Sequence, residues 1–149
     1  MDVKRMLTGT IVGGITLWAT GYVIFDMAFR SFYAANAGSA TGVDRSPQVL
    51  WAMWLSSLAY AALITVAMGN RAGKLSIGAG AIVGAIVGCL TWGTADFILY
   101  GSTNIANLTR TIVDPVLEFV HGGVGGAVIA LVVGGLSGAV KKAEHTVQT

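Results

Sequence analysis

The chain has 149 residues, is 54% hydrophobic and 11% charged, and carries 21 glycines, a mean hydropathy of +0.73 and a formal net charge of +2. A water-soluble domain carries about 25% charged residues, so this composition excludes an ordinary soluble globular fold. The few basic residues are scattered among short polar stretches and leave no footprint for a nucleic-acid partner, and the single Cys89 excludes an internal disulfide.

Four long apolar runs follow one another, at residues 6–29, 47–69, 75–100 and 113–140. Each meets the ~20 residues needed to cross a hydrocarbon core about 30 Å thick. Lipid offers backbone groups no partners, so runs of this length are expected to be helices rather than strands. The chain therefore reads as all-α: one membrane domain, a four-transmembrane-helix bundle with the lipid bilayer as its solvent.

Lys4 and Arg5 before the first run, with Ala35-Asn36-Ala37 after it, imitate a signal peptide and its cleavage site. The run is longer than the 7–15 residues of a signal core and holds Asp26 near its far end, so a retained helix is expected. Along it Gly14, Trp18, Tyr22 and Asp26 recur at spacing four, with Arg30 one turn beyond. The second run carries Trp51 and Trp54, read as interfacial anchors, and Tyr60 farther in. The third bears Ser76, Gly80, Gly84, Gly88, Trp92 and Asp96 at spacing four, with Cys89 read as a packed small residue. The fourth bears Asp114, Glu118, Gly122, Gly126, Ala130, Gly134 and Gly138 in the same rhythm.

Spacing of four places each row on one helix face. Small residues in that rhythm are how membrane helices bring their backbones together. The last two runs are antiparallel, and the register expected for them pairs Asp96 with Glu118, Trp92 with Gly122, Gly88 with Gly126, and Gly84 with Ala130. Closest approach is then expected at Gly88 and Gly126. Asp114-Pro115 reads as the start of the fourth helix, an acid N-cap followed by proline in the first turn. The Asn107-Leu108-Thr109 sequon is discounted because it lies close to the membrane. A weak internal repeat relates Gly14, Trp18, Tyr22 and Asp26 to Gly88, Trp92, Asp96 and Tyr100, and would make the bundle two parallel helical hairpins.

Lys4, Arg5, Arg71, Lys74, Lys141 and Lys142 fall on one side of the membrane, and Arg30, Arg45 and Arg110 on the other. This bias predicts that both termini lie in the cytoplasm. Asp26, Asp96, Glu118 and His121 then gather in the outer half of the bundle, with Asp114, Arg30 and Arg110 at its mouth. Charge inside a membrane is expensive and is by default functional. The structural alternative pairs Asp26 with Arg30, lets Arg110 neutralise Asp114, and leaves the remaining groups as a satisfied polar network.

Three functional readings follow. In the first, Asp96, Glu118, His121 and Asp26 with Trp18, Tyr22, Trp92 and Tyr60 of the second run form an outward-facing acidic and aromatic pocket for a small cationic or polar ligand, or for protons. In the second, the protein is an accessory subunit whose glycine faces dock a pigment, lipid, protein partner or second copy, Gly9 and Gly13 being spare for dimerisation. In the third, the carboxylates and His121 hold a catalytic metal. No metalloprotease helix, nucleophile elbow or phosphate loop is present, so a non-enzymatic role is favoured. No cofactor is specified by the sequence; His121 as an axial ligand to haem or a chlorophyll magnesium is an outlying reading, and His145 lies in a polar tail.

Trp92-Gly93-Thr94-Ala95-Asp96, then Asn104, Asn107, Val113-Asp114 and the glycines Gly122, Gly123, Gly125 and Gly126, resemble small bacterial four-helix membrane proteins catalogued as domains of unknown function. The resemblance covers residues 90–140 best. It implies a membrane four-helix bundle and no activity. Pro115, Glu118 and His121 depart from that pattern, so a site using them is expected to be particular to this chain.

Overall fold

The structure, a computed structural model, describes residues 3–71 and 74–147, with side chains through residue 135. Side chains of Lys141, Lys142 and His145 lie outside the described residues. Helix α1 (Val3–Gly21) runs into a π-helical turn (Tyr22–Ala28), bends at Phe29 and continues as the short α2 (Arg30–Ala35). Helix α3 (Leu50–Met68) closes in a 3-10 turn (Gly69–Arg71), and α4 (Ile77–Ser102) and α5 (Leu108–Val147) complete the chain. Val3–Ala28, Leu50–Arg71, Ile77–Ser102 and Leu108–Gly135 are each long and apolar enough to cross a membrane. The protein is an all-α, four-span integral membrane bundle.

Helix ends follow local capping. Ser76, expected to open the small-residue row of α4, is instead its N-cap, accepting a hydrogen bond from the Ala79 N–H at 3.2 Å. Helix α5 begins at Leu108, well before the expected start at 113, because Asn107 caps it: the Arg110 N–H donates to Asn107 Oδ1 at 3.0 Å. Asp114 is therefore not a cap. Pro115 lies inside the helix and supplies no N–H to the turn before it.

That early start shifts the α4–α5 register. Gly126 meets Gly80 and Gly84 rather than Gly88, Gly122 meets Gly84 rather than Trp92, and Gly88 meets the Glu118 backbone. A Cβ on Gly84 would lie 2.8 Å from Gly126 Cα, and one on Gly126 would lie 2.9 Å from Gly84 Cα. The closest approach is thus one turn away from the expected Gly88–Gly126 contact. With the shorter connection, each α4 residue meets an α5 residue about one turn nearer the loop than expected, as Asp96 does with Asp114. Gly134 meets open space and takes no part in this contact.

Around this pair, α1 packs on α3 and α5, and α3 touches α4 and α5. Large apolar residues point out and small ones in. On α1, Leu7, Ile11 and Ile15 are exposed to the lipid side, whereas Gly9, Gly13 and Gly14 are buried. A Cβ on Gly9 would strike Thr65, on Gly13 Ile129, and on Gly14 Leu58. These glycines are spent inside the bundle, which removes Gly9 and Gly13 as a face for dimerisation. Leu17, Ala61, Ile64, Met68, Ile129 and Val133 close the core on the side away from the α4–α5 loop. Lipid is as apolar as leucine, so close backbone packing, not water exclusion, holds such helices together.

Gly84→Ala or Gly126→Ala is expected to lower stability by about 1–3 kcal/mol, because a methyl group there meets backbone that cannot move without parting the helices. Gly78→Ala and Gly134→Ala, which meet open space, are expected to be neutral or slightly stabilising. Unfolding in mixed micelles checks both pairs.

Candidate functional site

Asp114, Glu118 and His121 occupy one face of α5, and all three are buried, at 8%, 4% and 6% exposure. Glu118 Oε2 lies 2.9 Å from His121 Nδ1, and Tyr60 of α3 donates its hydroxyl to the same oxygen at 3.3 Å. The other ring nitrogen of His121, Nε2, lies 2.9 Å from the Leu17 carbonyl of α1. A carbonyl only accepts, so Nε2 carries a hydrogen. The Nδ1···Oε2 contact therefore holds one proton, on the imidazole or on the carboxyl group. Helices α1, α3 and α5 each supply a part of this unit.

Glycines make the room it needs. The Tyr60 hydroxyl fits between Gly88 and Gly122, where a Cβ on Gly122 would approach it to 2.7 Å. The small-residue rows thus serve a side chain as well as a helix contact. Gly21 stands against the edge of the His121 ring, 3.4 Å from where its own Cβ would be. Phe25 and Tyr60 meet that ring edge-on, with centroids 5.5 and 5.8 Å away.

Nearer the α4–α5 loop, the shifted register sets Asp96 against Asp114 instead of Glu118, within hydrogen-bonding reach. Asp96 Oδ2 is closed off from solvent and has no hydrogen-bond partner among the described residues. The Tyr33 hydroxyl donates to Asp114 Oδ1, and Arg110 stacks over the Tyr33 ring with its guanidinium carbon 4.9 Å from the centroid. Burial, reinforced by the bond to Asp114, pushes the Tyr33 phenol well above its usual range, so it remains a donor. The two loops then zip together above: Asn107 Nδ2 donates to Asn36 Oδ1 at 3.1 Å, and the Gly38 and Ala40 N–H groups donate to the carbonyls of Ile105 and Asn104 at 2.9 and 3.0 Å.

The sequence-derived site is redistributed. Asp96, Asp114, Glu118, His121 and Arg110 do come together. Asp26 and Arg30 form no ion pair with each other, and neither joins the cluster among the described residues. Trp18 stacks on Trp54 at 4.8 Å with planes 7° apart, and on Tyr22 at 6.5 Å, on the α1–α3 side. Trp92 lies exposed on α4. Of the expected aromatics Tyr60 does line the site, and Phe25 and Tyr33 complete the lining. Among the described residues no three His, Cys, Asp or Glu side chains converge as a metal cage.

Tyr33, Phe25 and the Leu17 carbonyl were not singled out by sequence reasoning. A π-turn leaves no spacing signature, so nothing in the chain marks Tyr33 and Phe25 as neighbours of α5. Asn107 did carry a signal: an N-cap residue directly before a helical run.

His121→Ala is expected to cost about 3–5 kcal/mol, since it leaves Glu118 buried without its partner. Replacing both residues with leucine is expected to cost clearly less than the sum of the two single truncations, a non-additivity read by a double-mutant cycle. Asn107→Ala is expected to cost about 1 kcal/mol through loss of the α5 cap.

Comparison with known proteins adds no relative: no family model, no curated protein and no solved structure matches the chain.

Proposed function

We propose that the protein is a proton-binding membrane protein whose intramembrane carboxylates take up protons from the side of the α4–α5 loop. The observation that carries this reading is Asp96 Oδ2, a closed-off oxygen without a donor, beside the Asp114 carboxyl group. A proton between Asp96 and Asp114 supplies the missing donor and relieves the repulsion of two like charges in a low dielectric. The Glu118–His121 contact, with room for one proton between two heavy atoms, gives it a second resting place.

Other occupants fit less well. A small organic cation needs free aromatic faces; Trp18, Tyr22 and Trp92 lie elsewhere, Phe25 and Tyr60 are packed against His121, and Tyr33 is covered by Arg110. A catalytic metal needs a third ligand, and none converges among the described residues. A docked subunit, lipid or pigment needs a free glycine row; Gly9, Gly13 and Gly14 of α1 and Gly80, Gly84 and Gly126 of the α4–α5 contact are filled within the bundle, which leaves open such scattered positions as Gly78, Gly134 and Gly135. The reading includes the orientation given by the basic residues, with both termini cytoplasmic in a bacterial inner membrane and the site facing outward. It also includes the likeness of residues 90–140 to uncharacterised bacterial four-helix membrane proteins.

Infrared spectroscopy of the protein in lipid tests this. A carbonyl stretch from a protonated carboxylic acid, sensitive to deuterium exchange, is expected at neutral pH. Asp96→Asn, which brings its own donor, is expected to remove that band and leave the fold intact; Glu118→Gln is expected to change its titration. Absence of any such band, or a band indifferent to both substitutions, contradicts the proposal.

A further inference from the structure

The segment running from the π-helical turn through α2 contains no fully buried side chain, yet it covers buried ionisable groups. Phe25 lies over the His121 ring, Tyr33 lies 5.8 Å from Phe25, and the Tyr33 hydroxyl sits on Asp114. What holds this segment down is polar. It comprises the Tyr33–Asp114 bond, the Arg110 stack, the Asn36–Asn107 amide pair, and the N–H bonds from Gly38 and Ala40 to the facing loop. Water can replace each of these, and segments with few buried apolar contacts are the ones that open locally.

The turn beneath offers a hinge. Phe29 donates its N–H to the Ile24 carbonyl, five residues back, and stands at φ −108° and ψ 8° between the π-helical turn and α2. A π-turn carries one residue more than the α-helical pattern. Reverting to that pattern would rotate the chain beyond it by about 100°, one residue's worth of helix. That rotation would lift Tyr33 off Asp114.

We propose that the segment from Tyr22 to Asn36 is a hinged cover over the Asp96–Asp114 and Glu118–His121 groups, with Tyr33 on Asp114 as its latch and the π-helical turn as its hinge. The cover governs when the site meets water on the loop side. It rests on reading those groups as a working site, but access through it is measured independently of proton binding.

Ala37 and Ala106 face each other in an antiparallel bridge, a spacing that a disulfide can span. The test uses Ala37→Cys/Ala106→Cys in a Cys89→Ala background, reconstituted in vesicles. A water-soluble carbodiimide and an amine label accessible carboxyl groups, and mass spectrometry reads Asp96 and Asp114. Oxidation is expected to slow labelling there by about tenfold or more, with recovery on reduction. Separately, Tyr33→Phe with no engineered cysteines is expected to speed it by at least about tenfold, through loss of a charge-assisted hydrogen bond. Equal rates in oxidised and reduced protein overturn the cover, and an unchanged rate in Tyr33→Phe overturns the latch. A cover that behaves as stated in a protein lacking the infrared band retains the gate and rejects the proton site.

Discussion

Gly84 and Gly126 bring α4 and α5 so close that a methyl group on either would fall within 3 Å of the facing Cα. In water such a contact would be one packing detail among many. In lipid, where burying a leucine gains little, backbone proximity decides which helices pair and in which register. The rest of the site is a consequence of that register. It sets Asp96 beside Asp114, leaves a slot between Gly88 and Gly122 for the Tyr60 hydroxyl, and turns Glu118 and His121 toward α3 and α1.

The polar groups form a graded stack. Arg110 and Tyr33 stand at the mouth, Asp96 and Asp114 follow, and Glu118 with His121 end against the Leu17 carbonyl. Beyond that point the described core is Ile64, Met68, Ile129 and Val133, and the buried Thr65 is satisfied by the Ala61 carbonyl of its own helix. In the proposed reading, a stack that reaches only one end of the bundle, beneath the Tyr22–Asn36 segment, is suited to holding protons. Carrying them across would need acceptors in the far half, where the described core side chains are aliphatic apart from Thr65, whose hydroxyl is taken by its own helix.

The fold was legible because lipid leaves few choices: long apolar runs must be helices, and short polar stretches must be turns. Most of the charged cluster was legible for a related reason, since an acid or histidine in such a run has few explanations; the same reasoning drew in Asp26 and Arg30, which lie outside it. The geometry of the site was not legible. Asp114-Pro115 carries every mark of a helix start, and the competing cap, Asn107, was masked by its resemblance to a glycosylation sequon. Choosing the later start lengthened the loop and moved every facing pair by a turn or more. Asp96 was thereby assigned to Glu118, and Trp92 to a glycine it never meets. The aromatic wall failed for another reason: Trp18 belongs to the same helix as Leu17 but turns to stack on Trp54, a contact set by where α3 lies. Tyr33 and Phe25 reach the site through a π-helical turn that no periodicity announces.

The central claim is that contacts fixed by the helix packing hold His121 with Nε2 protonated against Leu17 and a single proton between Nδ1 and Glu118. Nitrogen-15 nuclear magnetic resonance of histidine-labelled protein in lipid, with His145→Gln to leave one signal pair, reads this directly. The account predicts a protonated Nε2 throughout and an Nδ1 in a strong hydrogen bond whose signal moves sharply in Glu118→Gln. A ring protonated only on Nδ1, or one that titrates as a free imidazole and ignores Glu118→Gln, would contradict it.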